Sequence, residues 1–313
     1  MSARSERLTG ADVVRKQISG RSIRPGEIIF QGLLLMTLLL SLFVLMVLLF
    51  DVASKGLGVL SERGVGFLTS GISSFSPDTA GVLQGLIGSL VTTVFVVVLA
   101  IPLGVAAAIY LEEYATDTRL NRIININIRN LAGVPSIVYG LLGLALYVEV
   151  LRRVTNGATM IAAGLTLATL VLPIVIITSA EALRAVPHSI REAGYGVGAT
   201  RWEVIRYHVL PSASPGILTG TVLSVARALG ETAPVLLVGA VTGFLASGGQ
   251  SIFEQMSQPR GYTTLPTVIF QYSQLPNQAF REVASASILV LLAVILLANT
   301  TAIILRNRYE RKW

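Results

Sequence analysis

The stretch LQGLIGSLVTTVFVVVLAIPLGVAAAIYL, residues 83–111, contains no charged side chain. An α-helix needs roughly 20 consecutive apolar residues to cross about 30 Å of hydrocarbon, so this run is long enough to span a membrane. A transmembrane β-barrel would instead show alternating segments of roughly ten residues. Five further apolar runs are similarly long, with approximate bounds 28–50, 131–150, 158–180, 215–244 and 284–305. The sequence therefore predicts an all-α polytopic membrane protein with six transmembrane helices.

The composition supports a membrane protein and argues against an enzyme. Charged residues make up 13% of the chain, against roughly 25% in a typical soluble domain. There is no cysteine, and the two histidines, His188 and His208, have no companion ligands, so no metal site is predicted. None of the three lysines follows a glycine, which excludes a P-loop, and no catalytic motif is recognisable. We therefore expect no ATP, metal or other cofactor to be bound by this chain.

Lysine and arginine are concentrated on one side of the predicted topology. Seventeen lie in the terminal segments 1–27 and 306–313 and in the loops 112–130 and 181–214, against six in the three opposite loops. The positive-inside rule then predicts a cytoplasmic basic tail, a six-helix transmembrane domain over 28–305 and a second cytoplasmic tail. This sidedness and anionic headgroups explain the net charge of +7, so no nucleic-acid partner is indicated.

The cytoplasmic segment 181–214 contains two helix-start patterns. Ser189 with Glu192, and Thr200 with Glu203, each place a hydroxyl three residues before a carboxylate, which is the spacing of a capping box. Two short helices are predicted, over about 190–197 and 201–210, with Pro211 ending the second.

The second of these predicted helices is amphipathic. Trp202, Ile205 and Val209 recur at i, i+3 and i+7 and form an apolar stripe that needs a covering surface. Periodicity alone leaves two alternatives open, a helix lying on lipid headgroups or a helix docked on another protein.

The same segment resembles the EAA signature of ABC importer permease subunits. That signature reads Glu-Ala-Ala, three residues, Gly, nine residues, Ile, one residue, Leu-Pro. The spacing matches throughout, with Gly194 in place of the third Ala and His208 in place of Ile. The resemblance implies a coupling helix that inserts into a groove of a separate ATP-binding subunit. Its predicted coupling residues are Glu192, Ala193, Gly194, Gly198, Trp202, Leu210 and Pro211.

Arg227 and Glu231 are charged residues inside the predicted fifth span. A charge near the bilayer centre costs about 3 kcal/mol on insertion scales, so the two residues need a compensating environment. They are four residues apart and therefore on one helical face. One alternative is a polar clasp in which they neutralise each other between helices.

A helix break beside the pair favours a second alternative, a path through the membrane. Pro234 removes the backbone hydrogen bond to Gly230 and, with Thr232 nearby, predicts a bent or partly unwound segment. Irregular backbone at membrane depth is tolerated only where protein or a water-filled cavity covers it. The pair is therefore predicted to line a solute path.

The chemistry of the pair suits an oxyanion. The planar guanidinium of Arg227 matches phosphate, sulfate or carboxylate. Phosphate at neutral pH carries an O–H that the Glu231 carboxylate accepts, whereas sulfate has no proton to give, so the pair favours phosphate. Glu231 as a counter-ion that only holds Arg227 remains an equal alternative, and Thr232 is a further candidate hydroxyl donor.

The run ARALGETAP, residues 226–234, resembles the fifth-span motif of phosphate-specific ABC transporter permeases of the A type. Three further stretches agree: AIYLEEYA at 108–115, GVPSIVYGLLGLAL at 133–146 and TTLPTVIFQYSQLPNQAF at 263–280. The resemblance covers about residues 80–305.

This resemblance implies the type I ABC importer permease fold and a place in the cytoplasmic (inner) membrane of a bacterium or archaeon. The implied partners are a C-type phosphate permease, two copies of an ATP-binding subunit that uses ATP and Mg, and an extracytoplasmic phosphate-binding protein. Loop 245–283 would meet the binding protein or form a simple packing hairpin. The rival functions are a permease for another oxyanion such as phosphonate or molybdate, a stand-alone channel or gradient-driven carrier, and a structural membrane anchor.

Overall fold

A computed structural model describes residues 25–240, 258, 259 and 261–309, and over these residues the chain is helical with no β-strand. Its helices, in chain order, are α1 (Pro25–Arg63), α2 (Val65–Thr69), α3 (Leu83–Tyr114), α4 (Arg119–Ala132), α5 (Ser136–Val150), α6 (Arg152–Thr155), α7 (Met160–Arg184), α8 (His188–Gly196), α9 (Arg201–Gly230), α10 (Ala233–Leu237), α11 (Leu265–Gln274) and α12 (Ala279–Tyr309).

Five helices are long and apolar enough to cross a membrane, namely α1, α3, α7, α9 and α12. The helices α4 and α5 form a sixth candidate span only as a pair, and they are bent by 102° at their junction. The predicted all-α, multi-span class is confirmed. The predicted third span over 131–150 is wrong at its start, because Leu131 belongs to α4 and α5 begins at Ser136. Pro135 has an extended conformation and disfavours helical backbone at Val134, which separates the two helices.

The described residues divide into two compact units, with the boundary between residues 51 and 52. Of the first unit the structure describes residues from Pro25 onward, all within α1. Every large apolar side chain from Ile28 to Phe50 is exposed. A helix that is apolar on all sides is typical of a membrane span.

The second unit is organised around α7. In the most apolar stretch of this helix, 67% is buried. It contacts α3, α5 and α9, and small residues allow these contacts to be close. A Cβ atom on Gly104 of α3 would lie 2.6 Å from Val175 Cγ1, and one on Gly216 of α9 would lie 2.7 Å from Ala182 Cβ. Small residues at helix crossings are typical of membrane proteins, where close packing drives association.

Two long helices continue through a proline by means of a π-helical turn. In α3 the turn Val96–Ala100 precedes Pro102, and in α9 the turn Ile205–Val209 precedes Pro211. The prediction that Pro211 ends its helix is therefore wrong. The wider turn comes immediately before the proline, where the regular α-helical hydrogen-bond pattern is already interrupted, so the missing N–H does not stop the chain.

The helix α11 packs at the opposite end of α3 from the coupling segment. Tyr272 donates a hydrogen bond to the Gly81 carbonyl at 2.7 Å, and the Leu265 N–H donates to Ser89 Oγ at 2.8 Å. Burial raises the pKa of Tyr272 to about 12, so the phenol stays protonated and remains a donor. In the predicted loop 245–283, residues 245–257 and Arg260 lie outside the described residues.

Candidate functional site

The predicted irregular backbone lies between α9 and α10. The helix α9 ends at Gly230, Glu231 is extended with φ −77° and ψ 122°, and α10 begins at Ala233. Pro234 is buried in the first turn of α10, where a residue without an N–H is tolerated. The backbone is therefore interrupted within one turn of Arg227.

Arg227 and Glu231 contact each other across this break. Arg227 Nε donates to Glu231 Oε1 at 3.3 Å, and the side chains are 45% and 16% exposed respectively. Among the described residues, the side chain of Arg227 makes this hydrogen bond through Nε alone. The terminal Nη groups therefore remain open for another acceptor. Thr232 follows directly in the interrupted segment and is partly exposed.

Arg227 lies on an open stripe along α9. The exposed positions Gly216, Thr219, Leu223 and Arg227 are spaced at i, i+3, i+7 and i+11 and so share one face. A groove of about 530 Å³ runs beside this stripe between α7 and α9. It is lined by Thr178, Glu181, Ala182, Pro215, Gly216, Thr219, Gly220 and Leu223.

The groove residues Thr178, Glu181 and Thr219 were not predicted from the sequence. A usable signal exists in α9, where Gly216, Thr219 and Gly220 mark a small and polar face in an apolar helix. No comparable signal exists for the groove residues of α7. They lie roughly 40 positions earlier in the sequence and reach the groove only because α7 packs against α9.

Both short helices predicted in the coupling segment are present, and each differs from its prediction in one respect. The helix α8 begins at His188 after Pro187 and has no side-chain cap, so the predicted Ser189 capping box is wrong. Pro187 takes the N-cap position and the helix starts two residues earlier than predicted, which leaves Ser189 inside it. The Thr200 capping box is confirmed, since the Thr200 N–H donates to Glu203 Oε2 at 2.7 Å and the Glu203 N–H donates to Thr200 Oγ1 at 3.4 Å.

The apolar stripe at the start of α9 differs from the predicted one. Ile205 and Val209 are fully buried, whereas Trp202 is 50% exposed and Val204 takes the third buried position. Val204 packs against Gly194 of α8, so the neighbouring helix covers the side of α9 that carries Val204 and leaves Trp202 exposed.

Close packing between α8 and α9 explains one departure from the EAA signature. A Cβ on Gly194 would lie 2.7 Å from Val204 Cγ2, so an alanine would not fit without displacing Val204. Gly198 has φ +83°, a conformation that glycine adopts without steric cost. The other predicted coupling positions are open to the solvent or half-buried: Glu192, Ala193, Trp202 and Pro211 are exposed, and Leu210 is partly buried.

Two ion pairs, not predicted from the sequence, join this end of the bundle together. Arg191 Nη2 of α8 contacts Glu113 Oε1 of α3 at 2.6 Å, and the side chains are only 13% and 5% exposed. Arg191 also donates to the Val186 and Leu183 carbonyls. Beside it, Arg184 pairs with Glu112. The segments 112–130 and 181–214 therefore lie at the same end of the molecule.

Among the described residues, no group of three or more His, Cys, Asp or Glu side chains could hold a metal ion. The site therefore consists of an open arginine at a helix break, a groove below it and an exposed surface on α8 and the start of α9.

Residues 100–313 match the family model described as binding-protein-dependent transport system inner membrane component, and the chain belongs to this family. Its fold is that of type I ABC importer permeases. A chain of a bacterial alginate ABC transporter, solved in complex with an alginate-bound periplasmic protein, matches with TM-score 0.61 at 15% identity, covering 92% of this chain and 98% of that chain. A chain of the inward-facing MetNI methionine ABC transporter matches with TM-score 0.53 at 19% identity, covering 74% and 95%.

Curated relatives are more similar in sequence. The phosphate transport system permease protein PstA 1 of Mycobacterium tuberculosis is 35% identical over 269 residues, which cover 85% of this chain and 84% of that protein. The PstA protein of Haemophilus influenzae is 34% identical over 269 residues, covering 86% and 89%. The resemblance drawn from residues 226–234 and the associated motifs is thereby confirmed.

Proposed function

We propose that this chain is the transmembrane permease subunit of an ATP-driven phosphate importer and forms half of the translocation path. The observation that carries the proposal is Arg227, whose Nη groups are open on the groove-lining face of α9, in a chain similar to phosphate permeases over most of its length. The chain itself performs no catalysis in this proposal.

In the path, the Nη groups of Arg227 contact the phosphate oxygens through charge-assisted hydrogen bonds. Glu231 either accepts the phosphate O–H or holds the guanidinium when the site is empty, and the Thr232 hydroxyl is an additional donor. Below this point the groove continues toward the coupling end, and Thr178, Glu181 and Thr219 are the polar residues in its lining.

The coupling surface is the proposed contact with the ATP-binding subunit, where ATP and Mg are used. It consists of Glu192, Ala193, Gly194, Gly198, Trp202, Leu210 and Pro211. The ion pair between Arg191 and Glu113 would transmit the displacement of α8 to α3, because a buried pair is costly to break once formed.

The proposed assembly contains a C-type phosphate permease, two copies of the ATP-binding subunit and an extracytoplasmic phosphate-binding protein that meets loop 245–283. The protein would be a multi-pass protein of the cytoplasmic (inner) membrane with both termini cytoplasmic. In this arrangement 1–27 and 306–313 are cytoplasmic tails, 28–305 is the permease domain and 181–214 is the coupling segment.

The test is ATP-dependent uptake of labelled phosphate into vesicles that contain the complete complex, with assembly and ATPase rate measured in parallel. We expect Arg227→Gln to reduce uptake about 10- to 100-fold, the value of a hydrogen bond to a charged group, with assembly intact. Unchanged uptake would leave the pair as a polar clasp. Uptake of phosphonate or molybdate in preference to phosphate would support the other-oxyanion permease, and transport by the purified chain alone would support a channel or carrier.

A further inference from the structure

The helix α4 occupies residues that were predicted from the sequence largely as a loop, and half of its protein-facing positions are polar. Its partly buried positions are Asn121, Asn125, Ile128 and Ala132, spaced at i, i+4, i+7 and i+11. This side faces α7, which α4 contacts. The helix is therefore held by a face that contains two asparagines, and its apolar face points elsewhere.

The apolar face of α4 is uncovered. Leu120 is 65% exposed, Ile123 55% and Leu131 47%. At roughly 100° per residue these side chains share one side of the helix, away from the packed positions. The exposed Asn127 lies among them and donates its amide hydrogen back to the Ile123 carbonyl at 2.8 Å. A stripe of this kind requires an apolar environment.

The third side of α4 is basic. Arg119, Arg122 and Arg129 lie within an arc of about 80° on the helix, which also contains the exposed Ile126. Residues 119–132 contain no acidic residue. Arg122 pairs with Asp117 at 3.2 Å in an exposed contact, while Arg119 and Arg129 make no ion pair within the described residues. A polar recess of about 280 Å³ adjoins this side. It is lined by Leu111, Glu112, Ala115, Thr116, Asp117, Asn121, Arg122, Asn125, Ile126, Arg129 and Arg184.

The orientation of α4 indicates that lipid, and not a neighbouring transmembrane helix, covers its exposed apolar face. The helices α4 and α5 meet at 102°, so if α5 crosses the membrane by itself, α4 runs roughly along the membrane plane. Glu112, at the end of α3, lies in the recess beside it, which places α4 at the same end as the coupling segment. An in-plane helix with an apolar face, a basic flank and no acidic residue is complementary to an anionic leaflet.

We propose that α4 is an interfacial helix that binds anionic phospholipid in the leaflet on the coupling side. Leu120, Ile123 and Leu131 enter the acyl boundary, and Arg119 and Arg129 contact lipid phosphates, with their alkyl stems covering apolar surface. This inference does not depend on the identity of the transported solute, so its failure and that of the proposed function are distinguishable.

The chain has no cysteine, so single-cysteine variants of the full chain give unambiguous labels. An environment-sensitive fluorophore on Ile123→Cys is compared with one on Asp117→Cys, which is exposed beside the helix. Both variants are reconstituted into vesicles of phosphatidylcholine with or without phosphatidylglycerol, and quenching by a spin-labelled lipid is measured. We expect strong quenching at position 123 and weak quenching at position 117. The increase in quenching that phosphatidylglycerol causes at position 123 should fall about fivefold in each of the variants Arg119→Gln and Arg129→Gln.

Three results would overturn the proposal. They are equal water accessibility at positions 123 and 117, equal quenching with and without the anionic lipid, and a cross-link from position 123 to the C-type permease in the assembled complex. Because the readout is lipid contact, a variant that still inserts is informative whether or not it transports.

Discussion

Arg227 has a positive charge in an apolar helix, and this chain covers its guanidinium only in part. The 3.3 Å contact to Glu231 uses one of the three nitrogen atoms, so the pair is neither fully closed nor separated. A structural clasp would need both partners covered, because an exposed pair is worth little. The geometry therefore favours a site that is completed by a ligand or by the second permease.

Substitution Glu231→Gln tests the role of the carboxylate. If it accepts the phosphate O–H, the neutral amide should reduce phosphate uptake about tenfold and reduce the preference for phosphate over sulfate. Competition of sulfate with labelled phosphate in vesicles measures both effects. Glu149→Gln, an exposed carboxylate on α5, is the matched control. Unchanged discrimination in Glu231→Gln would reduce this residue to a counter-ion.

Substitution Gly194→Ala restores the usual EAA residue but adds a Cβ 2.7 Å from Val204 Cγ2. We expect overpacking to cost about 1–3 kcal/mol and to lower the thermal midpoint of the assembled complex. Val204→Ala in the same chain should recover part of the loss. Gly196→Ala is the control, since its Cβ would meet nothing within 4 Å. A stable Gly194→Ala complex with an unchanged midpoint would contradict this packing explanation.

At the scale of elements, α8 and α3 are joined by a buried ion pair. Arg191 satisfies its donors with Glu113 and with two backbone carbonyls at the end of α7. These contacts tie α8 to α3 and to the end of α7. If α8 is the coupling helix, as proposed, they would connect it rigidly to the bundle.

Substitution Arg191→Gln should disconnect α8 from α3, because removal of one partner from a buried ion pair costs about 3–5 kcal/mol. We expect ATPase activity to persist while phosphate uptake per ATP hydrolysed falls. Asp117→Asn breaks an exposed ion pair on a neighbouring element and should leave this ratio unchanged. If Arg191→Gln transports with the wild-type ratio, α8 does not act through α3.

At the scale of the whole molecule, the proposed function makes the open stripe of α9 and the adjoining groove one side of a path that a second permease would complete. If closure of ATP-binding subunits moves the end of the bundle that carries α8, the exposure of this path should change between states.

Accessibility of Thr219→Cys should report that change. A membrane-impermeant thiol reagent added from the coupling side should label it in the resting complex and label it much more slowly when ATP hydrolysis is blocked. Ala213→Cys, at a position only 3% exposed, should stay unreactive in both states. Equal labelling of Thr219→Cys in both states would exclude it from an alternating path.

The amino-acid sequence by itself determined the class of the molecule and most of its spans. Transfer into lipid depends on apolarity summed along a run, which needs no knowledge of neighbours, so the runs around 83–111 and 158–180 predicted α3 and α7. The helix break beside Pro234 and the spacing of the EAA signature were also predictable, because each depends only on residues close together in the sequence.

Only the tertiary structure decided which faces are open and which distant charges meet. Glu113 and Arg191 are 78 residues apart, and nothing local links them until α3, α7 and α8 pack together. Packing of α8 on Val204 left Trp202 exposed, and α4 turns Asn121 and Asn125 toward the protein. Burial of a side chain is a property of the whole packed bundle, because each helix covers a face that its own periodicity does not identify.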